Sequence, residues 1–381
     1  MKESRLTYLE GLRGAAALMV FFCHFSYAFY YALYSTEIVE ANMPGNLDAY
    51  LSVTPLNILY NGKLAVQIFF ILCGYVISIR YFETGNKDYL VKSAVKRYFR
   101  LLVPILFLEV VTFFLMKIGA YHNEAAAVIS KSQDWFMDFN IQNPTILTLL
   151  KEIFFDAFFG EPYYYNNILW IIKYEFLGSL MVYGILYITG KWKYRDIIYI
   201  ILILVSIRSF YVSIFIGMFL CDLMHQDYPL IQFCKNKFIL LISTLLGLIF
   251  ATYPAGGVNL GNTLYRFLGK PMVIIFYVVG TTLLFWVLLN SRWMQSLLNI
   301  KLFQIVGKYS FGIYLVHFPV IATFSAWFLL ILDGKLGYNS IMIINLLLTG
   351  AIVFFVAVVF TKYIEPLGTK LASVVADRIK D

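Results

Sequence analysis

Long apolar runs separated by short polar segments organise this chain, and most approach the roughly 17–25 residues that a helix needs to cross a bilayer. Ten such runs stand out, at 12–32, 64–82, 101–118, 168–189, 196–207, 210–224, 238–253, 272–290, 310–332 and 341–362. The fourth follows a long polar and aromatic insert, and only Arg208 and Ser209 separate the short fifth and sixth. Alternating patterns that would build a membrane barrel are absent from the sequence. The pattern predicts an all-α, polytopic integral membrane helical bundle of about ten transmembrane helices.

The cationic residues orient it, because Lys and Arg accumulate on the cytoplasmic side. With the N-terminus inside, ten spans place 20 of the 30 Lys and Arg residues in inner segments and 7 in outer ones. Arg13, Lys63 and Lys173 remain in or at spans. Both termini are therefore expected to be cytoplasmic, and the net charge of +8 reflects topology and anionic lipid headgroups, not nucleic acid. A mean hydropathy of +0.76 excludes an ordinary soluble globule. Cys23, Cys73, Cys221 and Cys234 fall in spans or on the inner side, so no disulfide is expected. The N-terminus lacks a signal cleavage pattern, and the first apolar run reads as a retained span. One membrane domain over 1–366 and a short basic cytoplasmic tail over 367–381 account for the chain.

Ionisable side chains at membrane depth are costly and mark candidate chemistry. In the first span Arg13 and His24 are eleven residues apart, a net rotation of about 20° and a rise of about 16 Å. They share a face, with Arg13 at the inner interface and His24 near mid-depth. Histidine suits proton exchange near neutrality. Cys23 points about 100° away and is not expected to act. Glu175 in the fourth span is placed to orient or balance a histidine, as is His317 in the ninth, with an interhelical hydrogen bond as the plainer role for each. Glu109 is a weaker candidate. Over 87–100, Lys92, Lys96 and Arg100 recur every fourth residue opposite an apolar face, predicting an amphipathic helix on the inner surface. It suits anionic lipid, or the phosphates of a nucleotide-bearing donor. Tyr163 and Tyr164, in an aromatic and amide-rich segment, read as an interfacial belt or as a platform for a glycan ring.

These residues lie in blocks that together resemble the acyltransferase-3 family of multi-span membrane acyltransferases. The blocks are Tyr8 to Ala17 with His24, Phe69 to Ser78, Lys96 to Pro104, Trp170 with Glu175, and Tyr309 to Pro319. Cys73 stands where the family commonly has Ser, and Lys173 and Tyr174 depart from the family before Glu175. The resemblance implies a multi-pass enzyme of a cell membrane, in bacteria the inner one, that passes an acyl group to a hydroxyl. The donor would be acyl-CoA, most often acetyl-CoA, as a co-substrate, with no tightly bound cofactor and no metal. The acceptor would be a carbohydrate or other cell-surface glycan. No esterase-like C-terminal domain follows, so transfer is expected within this chain or with a separate periplasmic partner. On this reading Arg13, Lys96, Arg97 and Arg100 hold the CoA phosphates. His24 acts as general base or transient acyl carrier, and Glu175 or His317 supports it. Trp170, Tyr314, Tyr163 and Tyr164 contact substrate, with Tyr314 as an oxyanion donor. A transporter or glycan exporter with an intramembrane proton path is the rival, but it predicts inverted repeats that the sequence does not show.

Overall fold

The computed structural model describes residues 7–137, 144–161, 163–226, 228–256, 263–268 and 273–378. Position 272, which opens the eighth predicted run, and 379–381 of the predicted tail lie outside them. Among the described residues all regular structure is helical. Ten long helices stand at the ten predicted positions: α1 Thr7–Phe29, α2 Gly62–Thr84, α3 Lys87–Lys117, α4 Trp170–Thr189 and α5 Arg195–Val205. α6 Tyr211–Met224, α7 Lys237–Ala251, α8 Val273–Asn290, α9 Ser310–Leu332 and α10 Tyr338–Arg378 complete the series.

Length limits how many of these can cross a membrane. Six helices are long and apolar enough, or seven if the pair Ile274–Asn290 and Arg292–Leu298, bent by 100°, counts as one. At 1.5 Å per residue, α5, α6 and α7 reach about 17–23 Å, short of the roughly 30 Å hydrocarbon layer. Ten full crossings are thus not what the lengths support. Arg195 opens α5 and donates to the Asp222 carboxylate near the end of α6 at 2.6 and 2.8 Å. The two form an antiparallel hairpin shorter than a bilayer.

Local chemistry sets several boundaries. Gly85, at φ +65°, ends α2 in the left-handed conformation that glycine adopts without a Cβ clash. Asn86 then accepts the amide of Asp88 at 2.8 Å and starts α3. The expected amphipathic surface helix is not separate: it is the first half of α3, continuous with the third span. Pro104 does not break it. Proline has no amide proton, so the Arg100 carbonyl loses its helical donor. Gly368 of α10 packs against that oxygen, and a Cβ at 368 would lie 3.1 Å from it. The segment 365–378 is accordingly helical and docked along α3.

Glycine also brings the central helices together. A Cβ on Gly74 would strike the Ile214 carbonyl and one on Gly217 the Ile71 carbonyl, so α2 and α6 cross in backbone contact. Gly14 and Gly307 do the same for α1 and the helix Lys301–Lys308, which holds Arg13 beside Lys308.

Candidate active site

His24 Nδ1 and His317 Nε2 are 2.7 Å apart, a hydrogen bond joining α1 to α9 across 293 residues of sequence. The ring planes differ by 5° and the centroids are 5.0 Å apart, so the imidazoles meet edge to edge. His317 is fully buried. Its Nδ1 lies 3.0 Å from the Ile313 carbonyl, one turn back on α9.

A carbonyl can only accept, so His317 Nδ1 carries a proton and donates it. His317 Nε2 is then an acceptor, and His24 Nδ1 must donate to it. This chain of assignments, made from the hydrogen-bond network, leaves His24 Nε2 with its lone pair free. The backbone thus fixes one tautomer, and that tautomer fixes the next. Trp135, from the short helix Gln133–Phe136, stacks on the His24 ring at 5.6 Å and 12°. Phe318 meets it edge-on at 6.3 Å.

His24 opens on a cavity of about 330 Å³, within the size range of small-molecule sites. Val20, Ile168, Ile171, Phe210 and Ile274 make much of its wall apolar. Polar groups come from Tyr27, Tyr34, Lys63, Gln67, Trp170, Tyr277 and Tyr314. Lys63 donates to the Ala255 carbonyl at 2.8 Å. Ser213 donates to Gln67 Oε1 at 2.5 Å, which turns the amide N–H groups of Gln67 away from that contact.

A second region is cationic. Cavities of about 220 and 680 Å³ share Arg13, Phe69, Arg97, Arg100, Glu175 and Thr369, and the larger adds Arg80, Lys92 and Lys96. Arg97 donates to Glu175 at 2.5 Å and Arg13 to Glu10 at 3.3 Å. Among the described residues no carboxylate lies within 4 Å of the charged groups of Lys92, Lys96 or Arg100. Ile171 and Tyr314 line both the smaller basic cavity and the His24 cavity, so these two side chains form the partition between them. The spacing of Arg13 and His24 along α1 is the distance between the two regions.

The residues singled out from the sequence therefore divide. His24 and His317 meet, Trp170 and Tyr314 share the wall of their cavity, and Arg13, Lys96, Arg97 and Arg100 surround the basic one. Glu175 does not reach either histidine: its carboxylate is held by Arg97, on the basic side of the partition. Tyr314 spends its hydroxyl on the Ile168 carbonyl, so it stands as a constriction and not as an oxyanion donor. Tyr163 and Tyr164 line none of these cavities. The Tyr164 amide instead donates to the buried Glu152 carboxylate at 2.7 Å. Glu109 is buried with both carboxyl oxygens unbonded among the described residues, apart from the histidines. Trp135, Gln67 and Lys63 were not among the expected site residues. Lys63 had a signal, a cation at a span boundary, whereas Trp135 lies in the polar insert with none.

The acyltransferase-3 model, described as an acyltransferase domain, matches residues 6–363. No curated protein and no solved structure matches the chain. The match spans both histidines, the cavity that His24 lines and nearly all of the basic region. The chain belongs to the acyltransferase-3 family, and it is a helical membrane acyltransferase.

Proposed function

We propose that the protein moves an acyl group, acetyl in the first instance, from acyl-CoA to a hydroxyl of a carbohydrate or cell-surface glycan. The observation that carries this reading is the tautomer lock on His24, which leaves Nε2 unprotonated on a ring that lines a mostly apolar cavity, one partition away from a cluster of arginines and lysines.

Phosphates of the donor pair with Lys92, Lys96, Arg97 and Arg100, since guanidinium forks match phosphate oxygens. Arg13 closes the same site. The acyl arm passes between Ile171 and Tyr314 and brings the thioester carbonyl to His24. An acceptor hydroxyl enters the His24 cavity against Trp170 and Tyr34, whose rings suit the apolar face of a sugar. His24 Nε2 takes the hydroxyl proton as the oxygen attacks the thioester carbon. His317 Nε2 accepts from Nδ1 and shares the imidazolium charge, as the third member does in catalytic triads. The amide of Gln67 donates to the tetrahedral oxyanion. Collapse breaks the carbon–sulfur bond, and the departing CoA thiolate takes the proton back from Nε2. The basic region lies on the cytoplasmic side, where CoA resides, and the His24 cavity part-way to the other face, where a periplasmic partner would receive or present the glycan.

Membranes containing the protein, incubated with labelled acetyl-CoA and a panel of glycans, should acylate one class of acceptor. The His24→Ala variant should lose this activity by about 10²–10⁴-fold, the usual range for a general base. Undiminished transfer by that variant would remove His24 from the mechanism. Uptake of an unmodified solute with no acyl transfer would favour a transporter instead.

A further inference from the structure

The family match ends at residue 363, yet both basic cavities are closed by residues beyond it. α10 passes through one π turn at Phe360–Ile364 and continues as Glu365–Arg378. Glu365, Thr369 and Ser373 recur every fourth residue and so lie on one face. Glu365 lines the smaller cavity, Thr369 both, and Ser373 the larger. Across the cleft, Lys92, Lys96 and Arg100 follow the same spacing on α3. Two packed helices therefore present a cationic stripe and a carboxyl–hydroxyl stripe to the same two adjoining cavities, which share Arg100 and Thr369. Their register is set by the meeting of Gly368 with the Arg100 carbonyl that Pro104 leaves without a helical donor. A side chain at 368 would press on the Arg100 and Phe99 carbonyls, its Cβ 3.1 and 3.3 Å from them.

The hydroxyl protons on this stripe are already committed. Thr369 Oγ1 donates to the Glu365 carbonyl at 3.2 Å, and Ser373 Oγ to the Thr369 carbonyl at 3.0 Å. What remains for a ligand is lone pairs. Phosphate oxygens gain nothing from such acceptors, whereas N–H and O–H groups do.

We propose that Glu365, Thr369 and Ser373 form the second wall of the donor site, accepting hydrogen bonds from the N–H and O–H groups of the coenzyme while the α3 cations take its phosphates. This rests on acyl-CoA being the donor. The wall orients the coenzyme, and a bare polyphosphate cannot use it.

Binding of CoA and of inorganic pyrophosphate to the purified full chain separates the two walls. The Thr369→Val, Ser373→Ala variant should bind CoA about 5–100-fold more weakly, as expected for two lost hydrogen bonds. Its pyrophosphate affinity should match wild type, while Lys96→Ala weakens both ligands. Equal CoA binding by the double variant and wild type would overturn the second wall and leave acyl transfer from CoA intact. A parallel loss of both ligands would also overturn it, because that marks a general disturbance of the cleft. If the wild type binds no CoA yet transfers an acyl group from another donor, the underlying reading fails with it. Should the double variant not fold, Ser373→Cys in a Cys73→Ser background gives a second reading. Acetyl-CoA, which has no free thiol to consume the reagent, should slow its alkylation several-fold, and unslowed alkylation overturns the proposal.

Discussion

At the scale of single residues, the proposed mechanism turns on a proton whose position the backbone dictates. Ile313 offers only an acceptor, so His317 must be protonated at Nδ1, and His24 inherits its tautomer in turn. His317→Leu removes the acceptor that orients His24, and kcat should fall by about 10²-fold or more. His317→Gln can keep a carbonyl oxygen near that point, so it should lose measurably less; equal losses in the two variants would argue that His317 is only a packing residue. Glu175 supplies the complementary case. Because it holds Arg97 and touches neither histidine, Glu175→Gln should raise KM for the acyl donor about 3–10-fold while leaving the pH profile of kcat in place. A shifted profile would place Glu175 back with the histidines. The sequence displayed both histidines as ionisable groups at membrane depth, but not their contact. Side chains 293 residues apart meet through helix packing that no local pattern encodes. Glu175 was legible as a costly charge, and its partner was not, because two hundred degrees of helix separate it from Lys173 and its true partner lies on another helix.

At the scale of elements, helix positions followed directly from hydropathy, while lengths and junctions did not. A run of apolar residues is visible in one dimension, but not that α3 continues through Pro104 into the span, nor that Gly368 packs on the Arg100 carbonyl that Pro104 leaves without a donor. The close crossing of α2 and α6 is likewise a three-dimensional fact. Gly217→Val places a branched side chain against the Ile71 backbone, where neither partner can yield as a side chain would. It should lower the melting temperature of the detergent-purified protein by an amount equivalent to about 1–3 kcal/mol or more. An unchanged melting temperature would show that the helices can part without loss. Outside the spans, the turn Glu152–Asp156 has its own signature. Burial outweighs the amide donors of Tyr164 to Asn166 and raises the Glu152 carboxyl from its usual 4.5 to about 7. Between those values the folded chain holds a proton that the unfolded chain has released, so stability declines as pH rises through this window and levels off above it. In Glu152→Gln that decline should flatten, as read by thermal unfolding at pH 5 to 8; an identical slope in both proteins would assign the dependence to other groups.

At the scale of the whole molecule, the arrangement is two chambers and a partition. The basic chamber gathers cations from α1, α2 and α3 and is closed by α10; the histidine chamber lies between α1, α2, α4, α6, α8 and α9, with Ile171 and Tyr314 between the two. Charge and hydropathy along the chain indicated that one end of the bundle is cationic. They did not indicate that a cavity exists there, that it is walled by 365–378, or that it is one partition from His24, since cavities arise only from the mutual packing of distant helices. The central claim is that His24 and His317 act as one unit on a substrate that spans the partition. The rate of acyl transfer from acyl-CoA in wild type, His24→Ala, His317→Leu and the double variant tests it most directly. If the base and its orienting partner are a unit, the double variant should transfer within about threefold of His24→Ala alone, since such groups are far from additive. Losses that multiply across the two substitutions, or a His24→Ala variant that transfers at the wild-type rate, would contradict the account.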